Sequence, residues 1–233
     1  MRTILCLMTA LILGLCACSK DEYYQDSGTH DPVFKGSTLE YLDAVPFYFD
    51  TVATIVRLAG MEDVFKSDTL TFFAPTDRSV LRLIKDLNAE LFFLGNDTVK
   101  ALSDVPKEIW FKYLQRYMFH GSNELKDYPQ IDYNLLNTYP GQGYLSWNGT
   151  PMNIGVVYND DNGVKYVGYR QLSIAYITDP AKPRDNWVID YVASCNITTN
   201  NGVVHALNDN HVYFGFAPYV FVQDVIAAME NGG

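Results

Sequence analysis

Four histidines, four cysteines and an excess of carboxylates are the residues of this 233-residue chain whose types could carry chemistry. His30, His120, His205 and His211 show no metal-ligand spacing. His205 and His211 share strand parity, but Asn208-Asp209-Asn210 between them reads as a turn. The oxygen-rich cluster at 159–162 lacks the spacing and the closing bidentate glutamate of a calcium loop, and a hairpin turn explains it more simply. No Gly-x-Ser-x-Gly, P-loop or dinucleotide fingerprint occurs. Paired carboxylates abound in so acidic a chain, so no pair singles itself out as acid and base. The expectation is a non-catalytic protein with no catalytic residue, no metal site and no cofactor.

The cysteines stand at 6, 16, 18 and 195. Arg2 precedes an uncharged, mostly apolar run from Ile4 to Ala17, too short to span a bilayer of about 30 Å comfortably, so it reads as a signal-peptide core. The run ends Leu15-Cys16-Ala17-Cys18, which resembles the bacterial lipobox. There the thiolate of Cys18 would take a diacylglycerol, and small Ala17 would let the peptidase reach the backbone. Loss of residues 1–17, whose one charge is Arg2, leaves 216 residues and a formal charge of −11. It also leaves Cys195 without an intrachain disulfide partner, in an apolar stretch that suits a small buried hydrophobe. Residues 18–36 read as a flexible tether, and Ser19-Lys20-Asp21-Glu22 resembles the surface-export signal of Bacteroidota lipoproteins. No later run reaches 18 apolar residues. The expected location is the outer membrane, lipid-anchored and exposed at the surface.

Composition narrows the partners. With 27 acidic against 17 basic residues and a net charge of −10, no basic excess exists to bind a phosphate backbone, so nucleic acid is excluded. The same acidity disfavours adsorption to anionic lipid, leaving the acyl chains to hold the protein at the membrane. Hydrophobic residues at 48% and charged residues at 19% exclude a disordered chain or a coiled coil. The aromatic content (17 Tyr, 13 Phe and 3 Trp) leans towards strand-based packing.

The elements follow from periodicity. Val52, Ile55, Val56 and Ala59 form a helical stripe that Gly60 can stop. Residues 70–74 read as a buried strand bounded by Pro75. Thr76 is placed to cap the next helix, with Asp77 in its first turn and Val80, Leu83, Ile84 and Leu87 on one face. Pro106 opens a third stripe through Ile109, Trp110, Tyr113, Leu114, Tyr117 and Met118. Short β-branched and aromatic runs at 152–158, 165–169, 172–178, 188–193, 203–207 and 212–216 predict strands, with a tight turn at Asn162-Gly163. Residues 220–230 predict a last helix. Helices followed by a strand meander predict an α+β domain over 37–233, built on mostly antiparallel strands.

Two strings carry a family resemblance. Leu70-Thr71-Phe72-Phe73-Ala74-Pro75-Thr76-Asp77 resembles the first box of fasciclin-like domains, and Asn201-Gly202-Val203-Val204-His205 resembles their second. Order and separation fit, over about residues 37–217 in outline. The resemblance implies a wedge of strands with packed helices, and adhesion or extracellular binding rather than catalysis. Physically both boxes read as folding devices, with His205 on an apolar strand face holding a core hydrogen bond. Where many members carry Tyr-His, this chain has Tyr117-Met118, with His120 displaced by two residues, so integrin-type adhesion does not transfer. Segments 88–105 and 178–187 read as loop insertions and as the places for specificity.

The ligand class expected on these grounds is a glycan or a neighbouring envelope protein. An accessory role in a surface polysaccharide-capture system is the alternative. Trp147, Trp187 and Tyr144 are candidate glycan contacts, because a ring can cover the C–H face of a sugar; ordinary sheet packing is the competing use of the same rings. Sequons at Asn96, Asn148 and Asn196 are expected to be idle. Of three Asp-Thr patterns that resemble a Bacteroidota O-glycosylation signal, only the one at Asp97-Thr98 sits in an evident loop.

Overall fold

A computed structural model describes residues 32–209 and 212–231. Cys18, the expected signal peptide, most of the expected tether, His30 and His211 lie outside the described residues.

The first helix, α1 (Thr38–Ala44), starts from a reciprocal cap: the Ser37 hydroxyl accepts from the Glu40 amide, and the Glu40 carboxylate accepts from the Ser37 amide at 2.7 Å. Helix α2 (Pro46–Leu58) opens with a proline, whose missing N–H would be unpaired there anyway, and buries Val52, Ile55 and Val56. A short α3 (Glu62–Ser67) leads into strand β1 (Leu70–Ala74), all five residues of which are buried. Helix α4 (Asp77–Phe93) buries Val80, Leu83 and Leu87 of the stripe read from its sequence, leaves Ile84 half-buried, and adds Leu91 one turn further on. Helix α5 (Lys107–Leu114) ends earlier than its apolar stripe. A 3₁₀ turn (Gln115–Tyr117) carries the chain into β2 (Met118–His120), so Tyr117 and Met118 are buried outside the α-helix.

The remaining strands are β3 (Gln130–Ile131), β4 (Gln142–Leu145), β5 (Pro151–Tyr158), β6 (Arg170–Tyr176), β7 (Val188–Thr199) and β8 (Gly202–Leu207), followed by helix α6 (Pro218–Asn231). They join one sheet in the order β2-β1-β8-β7-β6-β5-β3, with β4 also paired to β5. The pairs are antiparallel except β1 with β8 and β3 with β5. The fold is therefore α+β with a mixed sheet. Strand β7 serves both halves, pairing β6 up to Tyr191 and β8 from Val192 onward. Its register shifts between Val192 and Ile197, where Asn196 takes φ +61°, and such a bulge bends and twists the strand so that the sheet curls. Inside the curl, Phe65, Phe72, Trp110, Tyr113, Phe214 and Phe221 are fully buried and meet mostly edge to face, as Phe65 and Phe72 do at 4.9 Å.

Three expectations are corrected. Residues 165–169 form no strand: Tyr166 sits at φ +63° and the Gly168 amide returns to the Asn159 carbonyl, closing a loop. Residues 212–216 are not a strand either, because Phe216 is left-handed at φ +66°; their apolar side chains plug the core instead, with Phe214 and Phe216 buried. The tether assigned to 18–36 ends too late. The Pro32 carbonyl accepts from Thr198 and the Phe34 amide donates to the Thr198 carbonyl, adding a short edge to β7, while the Phe34 ring meets Tyr41 at 5.5 Å. The turn at 161–164 forms as read, with Asn162 and Gly163 both at positive φ and Asp161 bridged to Val164.

Candidate functional site

The first box spends its polar groups on the fold, though not as its spacing implies. Thr76 stands at the N-cap of α4, yet its hydroxyl makes no capping bond and Oγ1 is buried without a partner. Asp77 does not cap its own helix. Its Oδ1 accepts from the amides of Thr51 at 3.0 Å and Val52 at 3.2 Å, tying α4 to α2. Burial raises the Asp77 pKa, and those two hydrogen bonds oppose the rise. Phe73, Ala74 and Pro75 bring the chain out of the sheet. Phe73 is fully buried against Phe119 and His205 at 5.6 and 5.0 Å.

The second box is a junction. Asn201 Oδ1 accepts from the Thr38 amide and hydroxyl, and Asn201 Nδ2 donates to the carbonyls of Phe65 and Asp68, so one amide joins the β7–β8 turn to α1 and α3. Gly202 is required by close approach, since a Cβ there would stand 1.9 Å from the Leu70 carbonyl oxygen. Val203 and Val204 pair with Thr71 and Phe72 of β1, which locks the two boxes side by side. His205 is fully buried. Its Nδ1 accepts from the Asn196 amide at 3.2 Å, at the β7 bulge, so Nε2 carries the hydrogen towards the Asn123 carbonyl at 3.0 Å. Neutral imidazole is a donor at one end and an acceptor at the other, as this position demands. Burial pulls its pKa down to about 4. Tyr117 accepts from the Gly215 amide at 2.6 Å and stacks on Phe216 at 4.8 Å.

Two buried charged side chains carry no sequence signal. Asp190 lies on the core side of β7, opposite Ile174. Burial lifts its pKa to about 7, against the single bond it accepts from the Tyr191 amide. The Arg116 guanidinium lies between the rings of Tyr113 and Tyr176 at 4.3 and 4.7 Å and donates to the Gly215 carbonyl. Among the described residues, no three His, Cys, Asp or Glu side chains gather to hold a metal ion.

The three proposed glycan-contact aromatics do not converge. Tyr144 pairs with Met152 on the core side and meets Phe119 and Tyr128 edge to face. Trp147 follows β4, with the His120 ring 3.9 Å away. Trp187 belongs to the opposite face of the sheet. Register aligns Gly155, Ser173 and Tyr191 across β5, β6 and β7, on the face away from core residues Ile154 and Ile174. Tyr133 lies across that line, its hydroxyl donating to Ser173 Oγ at 2.9 Å. Its ring meets Trp187 at 6.1 Å and Tyr191 at 6.3 Å, which gives a three-ring ladder. Beside the ladder is an open groove of about 440 Å³, whose lining includes Asp132, Tyr158, Asn159, Asp160, Tyr166 and Tyr191. The reading of single tryptophans missed this face; the crowding of tyrosines between 128 and 191 is its trace in the sequence.

These observations define an α+β domain whose box residues fasten the fold and whose half-buried aromatic ladder lies on the outer sheet face. No family model matches the chain, and no curated protein matches it. Among solved structures it is similar to a FAS1 domain pair from the insect cell adhesion molecule fasciclin I, at 14% identity and a TM-score of 0.45. The match covers 74% of this chain and 49% of that one.

Proposed function

We propose that this protein is a non-catalytic binding module, held at the outer membrane by acyl chains on Cys18 and presented outward, with a glycan or a neighbouring envelope protein as its ligand. One observation carries the reading: the Trp187–Tyr133–Tyr191 ladder lies on the face of the sheet that the core does not use. That ladder favours the glycan arm, and with it an accessory role in surface polysaccharide capture, because half-buried rings outside the core can each offer an apolar face or edge to the C–H groups of a sugar. The box residues support the same division of labour, since Asn201, His205, Asp77 and Tyr117 are all engaged within the fold.

Binding is tested with polysaccharide pull-down and envelope-fraction capture by the full chain. Saturable sugar binding that weakens in Trp187→Ala and persists in Trp147→Ala supports the outer face; no saturable partner of either kind refutes the module. The anchor is tested separately: Cys18→Ala should abolish fatty-acid labelling and release the chain from membranes, and unchanged labelling would refute acylation at Cys18. Among the described residues no helix is long and apolar enough to cross a membrane. Protease shaving of intact cells tests outward presentation.

A further inference from the structure

The groove beside the ladder is built differently from the rest of the surface, and Tyr166 is the reason. A tyrosine at φ +63° is held in a region that L side chains avoid, a strain that neighbouring contacts must offset. Both ends of the residue supply such contacts. Its amide donates to Asp160 Oδ1 at 3.0 Å, and its hydroxyl donates to Asp132 Oδ2 at 2.9 Å. That second bond raises the phenol to about 12. The ring also meets Tyr139 edge to face at 5.5 Å. Asp132 is fixed in turn by the Asn134 amide on its other oxygen. The loop neck is closed where the Asn159 amide and side chain both donate to the Tyr169 carbonyl. The Arg170 guanidinium covers the Tyr158 ring at 3.6 Å. Strain concentrated in a braced wall of an open, ring-lined groove is the arrangement of a pre-formed ligand clamp.

The lining chemistry selects the ligand. Tyrosine rings offer apolar faces, while the carboxylates of Asp132 and Asp160 and the Asn159 amide offer acceptors for hydroxyl donors; Lys165 is the cation of the lining, and Arg170 beside it is engaged over the Tyr158 ring. An anionic ligand would meet two carboxylates. We infer that this groove, between the 132–135 segment and the β5–β6 loop, is a binding site for a neutral sugar unit of a polysaccharide, with Tyr166 as its wall and the Trp187–Tyr133–Tyr191 ladder carrying adjoining units. The inference rests on the binding-module reading and adds the site and the ligand class. Its volume of about 440 Å³ falls within the range of small-molecule pockets.

The test is isothermal titration of the full chain, held in detergent micelles, with laminarin, a mannan and a xylan as neutral probes and polygalacturonate as an anionic one. At least one neutral probe should bind saturably, and polygalacturonate should not bind. Tyr166→Gly removes the wall while relieving the backbone, so the variant should melt no lower than wild type and bind about tenfold more weakly. Tyr166→Phe, which loses only the tie to Asp132, should weaken binding about threefold. Sugar binding that is unchanged in Tyr166→Gly but lost in Trp187→Ala overturns the groove and leaves the module reading standing. So does capture of an envelope protein by a chain that binds no neutral probe. Absence of both kinds of binding overturns both.

Discussion

Replacing His205 with alanine should cost stability in a way that depends on pH, and both parts follow from its two hydrogen bonds. The substitution leaves the Asn196 amide and the Asn123 carbonyl without their partner and removes a ring that Phe73 touches. Each of these part-buried backbone groups left unpaired costs about 1–2 kcal/mol, and loss of the fully buried ring adds to this, so a loss of about 4 kcal/mol is expected at pH 7. That is a large share of the roughly 5–15 kcal/mol that stabilises an ordinary domain. The pH dependence comes from burial, which lowers the imidazole from its ordinary 6.5 to about 4 in the fold. As pH falls below about 6.5 the unfolded chain takes up a proton that the native state refuses. The histidine's contribution is therefore full above pH 6.5 and is lost progressively down to about pH 4, by about 3 kcal/mol. Urea unfolding of wild type and His205→Ala at pH 7.5, 6, 5 and 4 measures the difference directly, and every other titrating group common to both chains cancels. The gap should shrink from about 4 to about 1 kcal/mol. A gap that stays constant with pH, or one below about 1 kcal/mol at pH 7.5, refutes the assignment of His205 as the neutral fastener of the β7 bulge.

Asp190→Asn should act with the opposite sign. The fold raises this carboxyl from 3.8 to about 7, so its proton stabilises the native state at low pH and that stability is lost as pH rises from about 4 through 7. The neutral variant should gain about 4 kcal/mol over wild type at pH 8 and less than about 1 kcal/mol at pH 4, read from the same urea transitions. Gly202→Ala should place a methyl on the Leu70 carbonyl and force β8 off β1, costing at least about 3 kcal/mol by urea unfolding; an unchanged midpoint would refute the close approach.

Periodic segments were legible in the sequence because one period admits one answer. The stripe of α4 and the continuous apolar run of β1 are found where their residues place them. The short runs at 165–169 and 212–216 were not, since an apolar pentapeptide serves equally as a strand or as a plug. Left-handed φ at Tyr166 and Phe216 is set by what surrounds them. The boxes marked the centre of the fold, but the partners of Asp77 lie 25 and 26 residues away and those of Asn201 more than 130. No local rule reaches that far, so Asp77 reads as a first-turn acid facing its own helix dipole and acts as a strut to α2. The groove was illegible for the same reason: Asp132, Asp160 and Tyr191 meet through strand register, and Gly155, Ser173 and Tyr191 share a line only once β5, β6 and β7 are paired.

Hydrogen–deuterium exchange of the full chain, with and without a bound neutral polysaccharide or captured envelope protein, tests the central claim most directly, because it reports where a ligand sits without altering a residue. Exchange should slow in 132–135, 158–166 and 187–191, the segments of the groove and the ladder. It should stay unchanged in the second box at 201–205 and in β1. Protection centred on the boxes, or on the Trp147 side of the domain with the outer face unaffected, would contradict the account.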